Sequence, residues 1–367
     1  ALFTLSLFTS SLAACGGSVE AFDGGDGIDP AGDGDTGDTD GPLEDLPNEP
    51  ICEGDDFPLD TVTPNVMLVL DKSGSMNDSR WDHDGDSGTP EVTRWNSLHG
   101  VVAEVTTGYE DAMNFGVTLF PAMDSEYVGG DFESSCKVSD SPDVAVAAGT
   151  SAAILAAIPS ADDEYFSGAT PATEGVLTGA SHLEGLGDEA PGAMVLITDG
   201  AANCVSPDNF VNDFDESLED AVRDAWEGAG IPTYVVGIDI GEQDPHVDVN
   251  PREALEAVAE AGGVAQDGGS GFYDASDPAA LESALDEIAH RLGCQIELDF
   301  APEPYAEISI EVDGVEIPQV DSCDGIEGAG WVQIDPVNNP TTIELCNSAC
   351  ADAEVAGGSA TMCPVVP

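Results

Sequence analysis

Lysine and arginine are almost missing from this chain: seven against 73 aspartates and glutamates in 367 residues, for a formal net charge of −66. A nucleic-acid-binding protein displaces counterions with cationic side chains, so here the phosphate backbone would be repelled. Anionic membrane surfaces are excluded as electrostatic partners for the same reason. What such a charge favours is solubility, tolerance of salt and divalent cations. Aromatic residues are few but present, at 6%. The acidity therefore does not imply a chain disordered throughout.

Other absences narrow the chemistry. There is no Cys-x-x-Cys pair, which removes the zinc ribbon and the thioredoxin-type motif. The histidines (83, 99, 182, 246 and 290) lie far apart and form no His-Glu-x-x-His, so zinc is not expected. No Gly-x-Ser-x-Gly elbow or Walker loop appears, and no internal repeat. Paired carboxylates are too common among 73 acids to mark a catalytic dyad. Nothing supplies an evident base or nucleophile, and an enzyme is not expected.

Nine cysteines, by contrast, are many. Residues 1–14, ALFTLSLFTSSLAA, are apolar and small, too short to span a bilayer, and read as the remnant of a signal peptide. They lead into Cys15 through Leu-Ala-Ala-Cys, which resembles the lipobox of bacterial lipoproteins; a secretory segment followed by a chance cysteine is the plainer alternative. Lipidation of Cys15 would leave eight cysteines, an even number suited to disulfides in an oxidising compartment. Residues 15–50 are then a lipidated cysteine and a Gly/Asp linker that cannot bury enough surface to offset its chain entropy. Its reach is about 30–35 Å.

From Asn65 onward the pattern alternates. VMLVL (66–70), FGVTLF (115–120), AMVLIT (193–198) and TYVVGI (233–238) are short, continuous and rich in β-branched residues, as strands covered on both faces should be. Between them lie amphipathic helices, with Trp95, Leu98, Val102 and Val105 on one face and Leu218, Val222, Ala225 and Trp226 on another. A third carries Leu281, Leu285, Ile288 and Leu292 and starts well, with Asp277 as N-cap and Pro278 next. The fold class expected is α/β: a doubly wound, mostly parallel central sheet with helices on both faces, spanning 51–293. After Cys294 the period becomes two, in QIELDF and ISIEV, with an Asp313-Gly314 turn signal. Residues 294–367 read as a small β-rich, disulfide-braced module.

Three oxygen-bearing stretches fall where such a sheet binds ligands, beyond the carboxyl ends of strands. LDKSGSM follows the first strand with Asp71, Ser73 and Ser75; SGATPATEG places Thr170 before a helix; LITDG ends a later strand with Asp199. Taken singly, each has a plainer reading as a helix cap or a turn. Asp82, Asp84, Asp86 and Glu91 crowd a loop beside the first stretch, but their spacing fits no EF-hand and reads as a solvated loop.

Taken together, Asp-x-Ser-x-Ser, a later Thr and an Asp in Thr-Asp-Gly resemble the metal-ion-dependent adhesion site of the von Willebrand factor type A family. The resemblance covers roughly 62–293. More locally, VLDKSGSM, RWNSL, LFPA, ATPATEGV, LITDGAANC, AEAGGVA and the GWVQID…IELCNSAC tail resemble a bacterial subset of lipoproteins carrying that domain. It implies that Ser73, Ser75 and Thr170 ligate Mg²⁺, or Mn²⁺ or Ca²⁺, while Asp71 and Asp199 hold waters and hydroxyls around it. Lys72, between the motif positions, is expected to point outward. Few direct carboxylates leave the ion electrophilic, and a protein partner's Asp or Glu would complete its octahedron.

On this scaffold Cys136 and Cys204 should lie near the metal face and pair, and Cys52 should pair with Cys294 where the domain's ends meet. The other four would then pair within the tail. The function expected is an extracytoplasmic, membrane-anchored lipoprotein, in the bacterial outer membrane and touching lipid only through its anchor, that binds a partner through the metal. The alternative is an envelope assembly component acting mainly through the C-terminal module.

Overall fold

The computed structural model describes residues 56–58 and 63–363, except 84–85, 87, 128–130, 164, 188–189, 242–246, 266–270, 299–306, 321, 324–325, 327, 336–338 and 351–357. Cys15, the linker, Cys52, Asp84 and His246 lie outside the described residues.

A short β1 (Asp56–Pro58) precedes the first apolar run, which forms β2 (Asn65–Asp71). The brief α1 (Gly74–Asp78) and a ribbon of β3 (Arg80–Trp81) with β4 (Val92–Thr93) lead to α2 (Arg94–Gly108). Then come β5 (Asn114–Phe120), α3 (Phe132–Ser135), β6 (Val144–Ala147), α4 (Ser151–Ala157) and α5 (Ala172–Leu186). The chain continues through β7 (Gly192–Thr198), α6 (Ser217–Ala229), β8 (Thr233–Ile238), α7 (Pro251–Ala261), β9 (Tyr273–Ala275) and α8 (Pro278–Gly293).

One sheet runs β6-β5-β2-β7-β8-β9, all parallel except the edge strand β6. Its inner strands are apolar on both sides because both are covered. Leu68, Leu70, Val117 and Ile197 pack with Trp95 and Leu98 of α2 and Leu281 and Leu285 of α8. Met67, Val69, Leu196 and Val235 face Val176 of α5, Val222 of α6 and Leu255 of α7. The helices begin where the sequence marks them: the Thr93 side chain accepts from the amide of Asn96 at 3.0 Å, and Asp277 from that of Ala280 at 2.9 Å. Trp226, placed by its spacing on the buried face of α6, is only half-buried. From β2 the chain moves to β5 on one side and later returns to β7 on the other. The carboxyl ends of β2 and β7 therefore flank the switch in strand order.

Beyond α8 the strands are β10 (Gln295–Glu297), β11 (Glu307–Val312), β12 (Val315–Ile317), β13 (Gly330–Asp335), β14 (Asn339–Cys346) and β15 (Gly358–Cys363). β11 and β12 form a hairpin at Asp313-Gly314, whose φ values of 52° and 71° match a two-residue turn of the primed type. Two antiparallel sheets, β1-β15-β11-β12 and β10-β14-β13, enclose a separate core around Ile296, Ile310, Trp331, Ile343 and Leu345. Here the structure departs from the expected boundary. Residues 56–58 fall within the stretch assigned to the α/β domain, yet β1 pairs with β15 and covers its open edge.

The cysteines also depart from expectation at one point. Cys136 and Cys204 are bonded, with Cα atoms 5.8 Å apart, and Cys323 joins Cys346 inside the module. Cys294 bonds Cys350 rather than Cys52. The reason is local: Cys294 leads straight into β10, and its carbonyl accepts from the amide of Leu345 on β14 at 3.0 Å. That pairing brings Cys350, just past the end of β14, to a Cα separation of 5.3 Å, within disulfide reach. No described helix is long and apolar enough to cross a membrane.

Candidate functional site

Asp71 ends β2 wholly buried, and the chain folds back around its carboxylate. One oxygen, Oδ1, accepts from the amide of Ser73 at 2.7 Å, closing a tight turn; Oδ2 accepts from the Thr198 hydroxyl at 2.6 Å. The turn aims both serines the same way. Ser75 Oγ donates to Asp199 Oδ1 at 2.7 Å, so across the 2.9 Å gap between the two hydroxyls Ser73 is the donor. Ser73 stands at the N-cap position of α1 but makes no side-chain cap. Its hydroxyl is committed to the row Ser73–Ser75–Asp199 instead.

Thr170 joins through its backbone. Its amide donates to Asn203 Oδ1 at 2.8 Å and its carbonyl accepts from the Asn203 amide at 3.0 Å, while two residues earlier the Gly168 carbonyl accepts from Gly74 at 3.1 Å. Gly168 has φ 140°, and a Cβ there would sit 2.5 Å from Pro121 Cγ. Pro171, not Thr170, occupies the N-cap position of α5, so Thr170 is not spent on capping. The disulfide Cys136–Cys204 and the bond from Ala169 N to Ser135 O (2.9 Å) fasten the loops around this turn.

The charges are unusual for groups so buried. Burial first, and then the nearby Asp199 carboxylate, push the Asp71 pKa up to about 7, against the hydrogen bonds from Ser73 and Thr198. Lys72 does not point outward as expected. It is fully buried, with Nζ 5.4 Å from the centre of the Phe166 ring and 3.4 Å from the Ser167 carbonyl. Burial lowers its pKa to about 8, and Asp71 is foremost among the acids that oppose the fall. A carboxylate as deep as Asp71 needs a countercharge within the protein, and Lys72 is the nearest in sequence.

Arg94 opens the RWNSL stretch but was not among the site residues read from the sequence. Nη1 donates to Asp199 Oδ2 at 2.7 Å and Nη2 to Asp239 Oδ2 at 2.5 Å, across 105 and 145 residues. Its position is a further signal: a cation at the first residue of a helix opposes the backbone dipole.

The donors gathered here are hydroxyl and carboxylate oxygens, without sulfur or imidazole. That set suits a hard divalent cation such as Mg²⁺, Mn²⁺ or Ca²⁺. In the neighbouring loop Asp82, Asp86 and Glu91 are exposed, and Asp86 Oδ1 accepts from Gly88 N at 2.9 Å, a local turn of the solvated kind. A cavity of about 250 Å³ lies between the end of α8 and β14, walled by His290, Arg291, Glu344 and Asn347. His290, Cys294 and Cys350 converge beside it, but both sulfurs are in one disulfide and offer no thiolate to a metal.

No protein-family model matches the chain, and no curated protein matches it. Among solved structures it is similar to the pilus adhesin SpaC of Lactobacillus rhamnosus GG, with 16% identity and a TM-score of 0.48 over 83% of this chain and 40% of that one. The PilB minor pilin of Streptococcus sanguinis is similar at 18% identity and a TM-score of 0.40, over 64% of this chain and 62% of PilB. The pilus adhesin RrgA of Streptococcus pneumoniae is similar at 8% identity and 0.39, over 84% of this chain and 57% of RrgA. The chain thus spans less than half the length of SpaC.

Proposed function

We propose that this protein is an extracytoplasmic binding protein of the von Willebrand factor type A kind, whose cleft at the carboxyl ends of β2 and β7 holds a divalent cation. What supports the reading above all is the hydrogen-bonded row Ser73–Ser75–Asp199 lying against Asp71 at the switch in strand order. Ser73, Ser75 and Thr170 are the ligands in this reading. When bound, the cation supplies an electrophilic position that takes an Asp or Glu carboxylate from a protein partner. Asp71 and Asp199 hold the hydroxyls in place and stay out of the inner sphere, which keeps the cleft hungry for an outside anion. The work is binding rather than turnover. Three described disulfides suit an oxidising compartment, and lipidation at Cys15 would anchor the chain there.

Calorimetric titration of Mg²⁺ into the purified protein tests the metal. Saturable binding is expected for the wild type and is lost in Asp71→Ala and Asp199→Ala. Absence of binding, or variants indistinguishable from wild type, rejects the reading. Capture of a partner from envelope extract, with and without chelator, then tests the carboxylate.

A further inference from the structure

Arg94 is the first residue of α2, the end of a helix where the backbone dipole disfavours a positive charge. In a chain with only seven lysines and arginines, one is spent at that unfavourable position. Its guanidinium spans two carboxylates that belong to different strand ends: Asp199, after β7, and Asp239, after β8. Asp239 is itself held in the left-handed region at φ 50°, with its amide bonded to the Ala275 carbonyl at 2.8 Å. Arg94 Nε is buried with no hydrogen-bond partner among the described residues, a cost accepted to aim both Nη groups. The Arg94 side chain is 14% exposed and that of Asp199 only 1%, so solvent screens the pair weakly. Both oxygens of Asp199 are thereby engaged, Oδ1 by Ser75 and Oδ2 by Arg94.

We propose that Arg94 is a resident cation of the cleft that sets its threshold for divalent ions, holding metal affinity down and leaving a bound ion less neutralised and so more demanding of a partner's carboxylate. The inference rests on the metal-binding reading above. A surface carrying a net charge of −66 draws divalent ions wherever carboxylates crowd. A fixed guanidinium on Asp199 offsets part of that carboxylate's pull and repels an incoming ion, so that occupancy requires the hydroxyl ligands and not charge alone. Arginine suits the task because its planar fork can hold two carboxylates at once and never loses its proton.

The test is calorimetry of Mg²⁺ binding to the purified wild-type protein, Arg94→Gln and Arg94→Lys. Arg94→Gln, which keeps polarity and loses charge, is expected to bind Mg²⁺ about tenfold or more tightly than wild type. Arg94→Lys, which keeps the charge but loses the fork, is expected to fall between wild type and Arg94→Gln. Arg94→Gln binding no more tightly, or Arg94→Lys tightening equally, overturns the proposal while leaving the metal site standing. If neither wild type nor Arg94→Gln binds Mg²⁺, both readings fall together. A second measurement needs no substitution: in wild type, the Arg94 Nε–H resonance is expected to shift along a Mg²⁺ titration as the contact with Asp199 is contested. A resonance that stays fixed while the metal binds overturns the proposal.

Discussion

Thr198 donates its hydroxyl to Asp71 Oδ2 at 2.6 Å, joining the last residue of β7 to the last residue of β2 across the switch in strand order. With the Ser73 amide on Oδ1, this leaves the buried carboxylate one orientation. Thr198→Val keeps the shape and removes the donor. The expected cost is about 1–3 kcal/mol, the range for leaving a buried acceptor unsatisfied, read from urea unfolding. Mg²⁺ affinity should fall with it, and Thr198→Ser should restore both.

Gly168 tests how the loop bearing Thr170 is held. A side chain there meets Pro121 Cγ at 2.5 Å and must adopt φ 140°, while the Gly168 carbonyl anchors the Gly74 amide. Gly168→Ala is expected to lower stability by about 2 kcal/mol or more and to weaken Mg²⁺ binding at the same time. A variant with wild-type unfolding and wild-type affinity would show that the loop does not position Thr170.

The disulfide Cys136–Cys204 closes a loop with a sequence separation of 68. Chain-entropy arguments give such a closure about 4 kcal/mol. The double variant Cys136→Ser/Cys204→Ser should therefore melt well below wild type. Its loops should also show faster amide exchange around Ala169, whose amide bonds Ser135 beside Cys136.

His182, half-buried on α5, accepts from the Val146 amide at 3.1 Å through Nε2, and burial depresses its pKa below 6.5. The unfolded chain then takes up the proton first, so this contribution is intact above pH 6.5 and is lost as the pH falls from there toward the folded value. His182→Gln keeps an acceptor and does not titrate. Melting curves from pH 7.5 to 5 should separate wild type from the variant by about one degree at the acid end and not at the other.

Much of the architecture could be read from short patterns. The inner strands announce themselves because a strand covered on both faces has no polar positions, as in VMLVL and AMVLIT. The residues of the cleft were legible because Asp71, Ser73 and Ser75 act within one turn, and Asp199 stands at a strand end. What escaped is what depends on distance. Nothing near Lys72 says that Phe166 and Ser167 will roof it, and nothing near Arg94 names Asp199 or Asp239 as its partners. The antiparallel edge strand β6 is four small residues, Val-Ala-Val-Ala, too short to separate from a loop. Cys294 illustrates the same limit: its partner was decided by the register of β10 on β14, which no cysteine count contains.

β1 lies ahead of the α/β body in the chain and yet belongs to a sheet built after it. The two halves of that sheet embrace the α/β body in sequence, so a pull arriving from upstream of residue 56 does not go straight to β2. It is borne first by three cross-strand pairs, Asp56–Thr361, Phe57–Ala360 and Pro58–Ser359, and spreads through β15 into β11. Three cross-strand pairs of the small module thus stand, along the chain, between whatever lies upstream of residue 56 and the strand that carries Asp71.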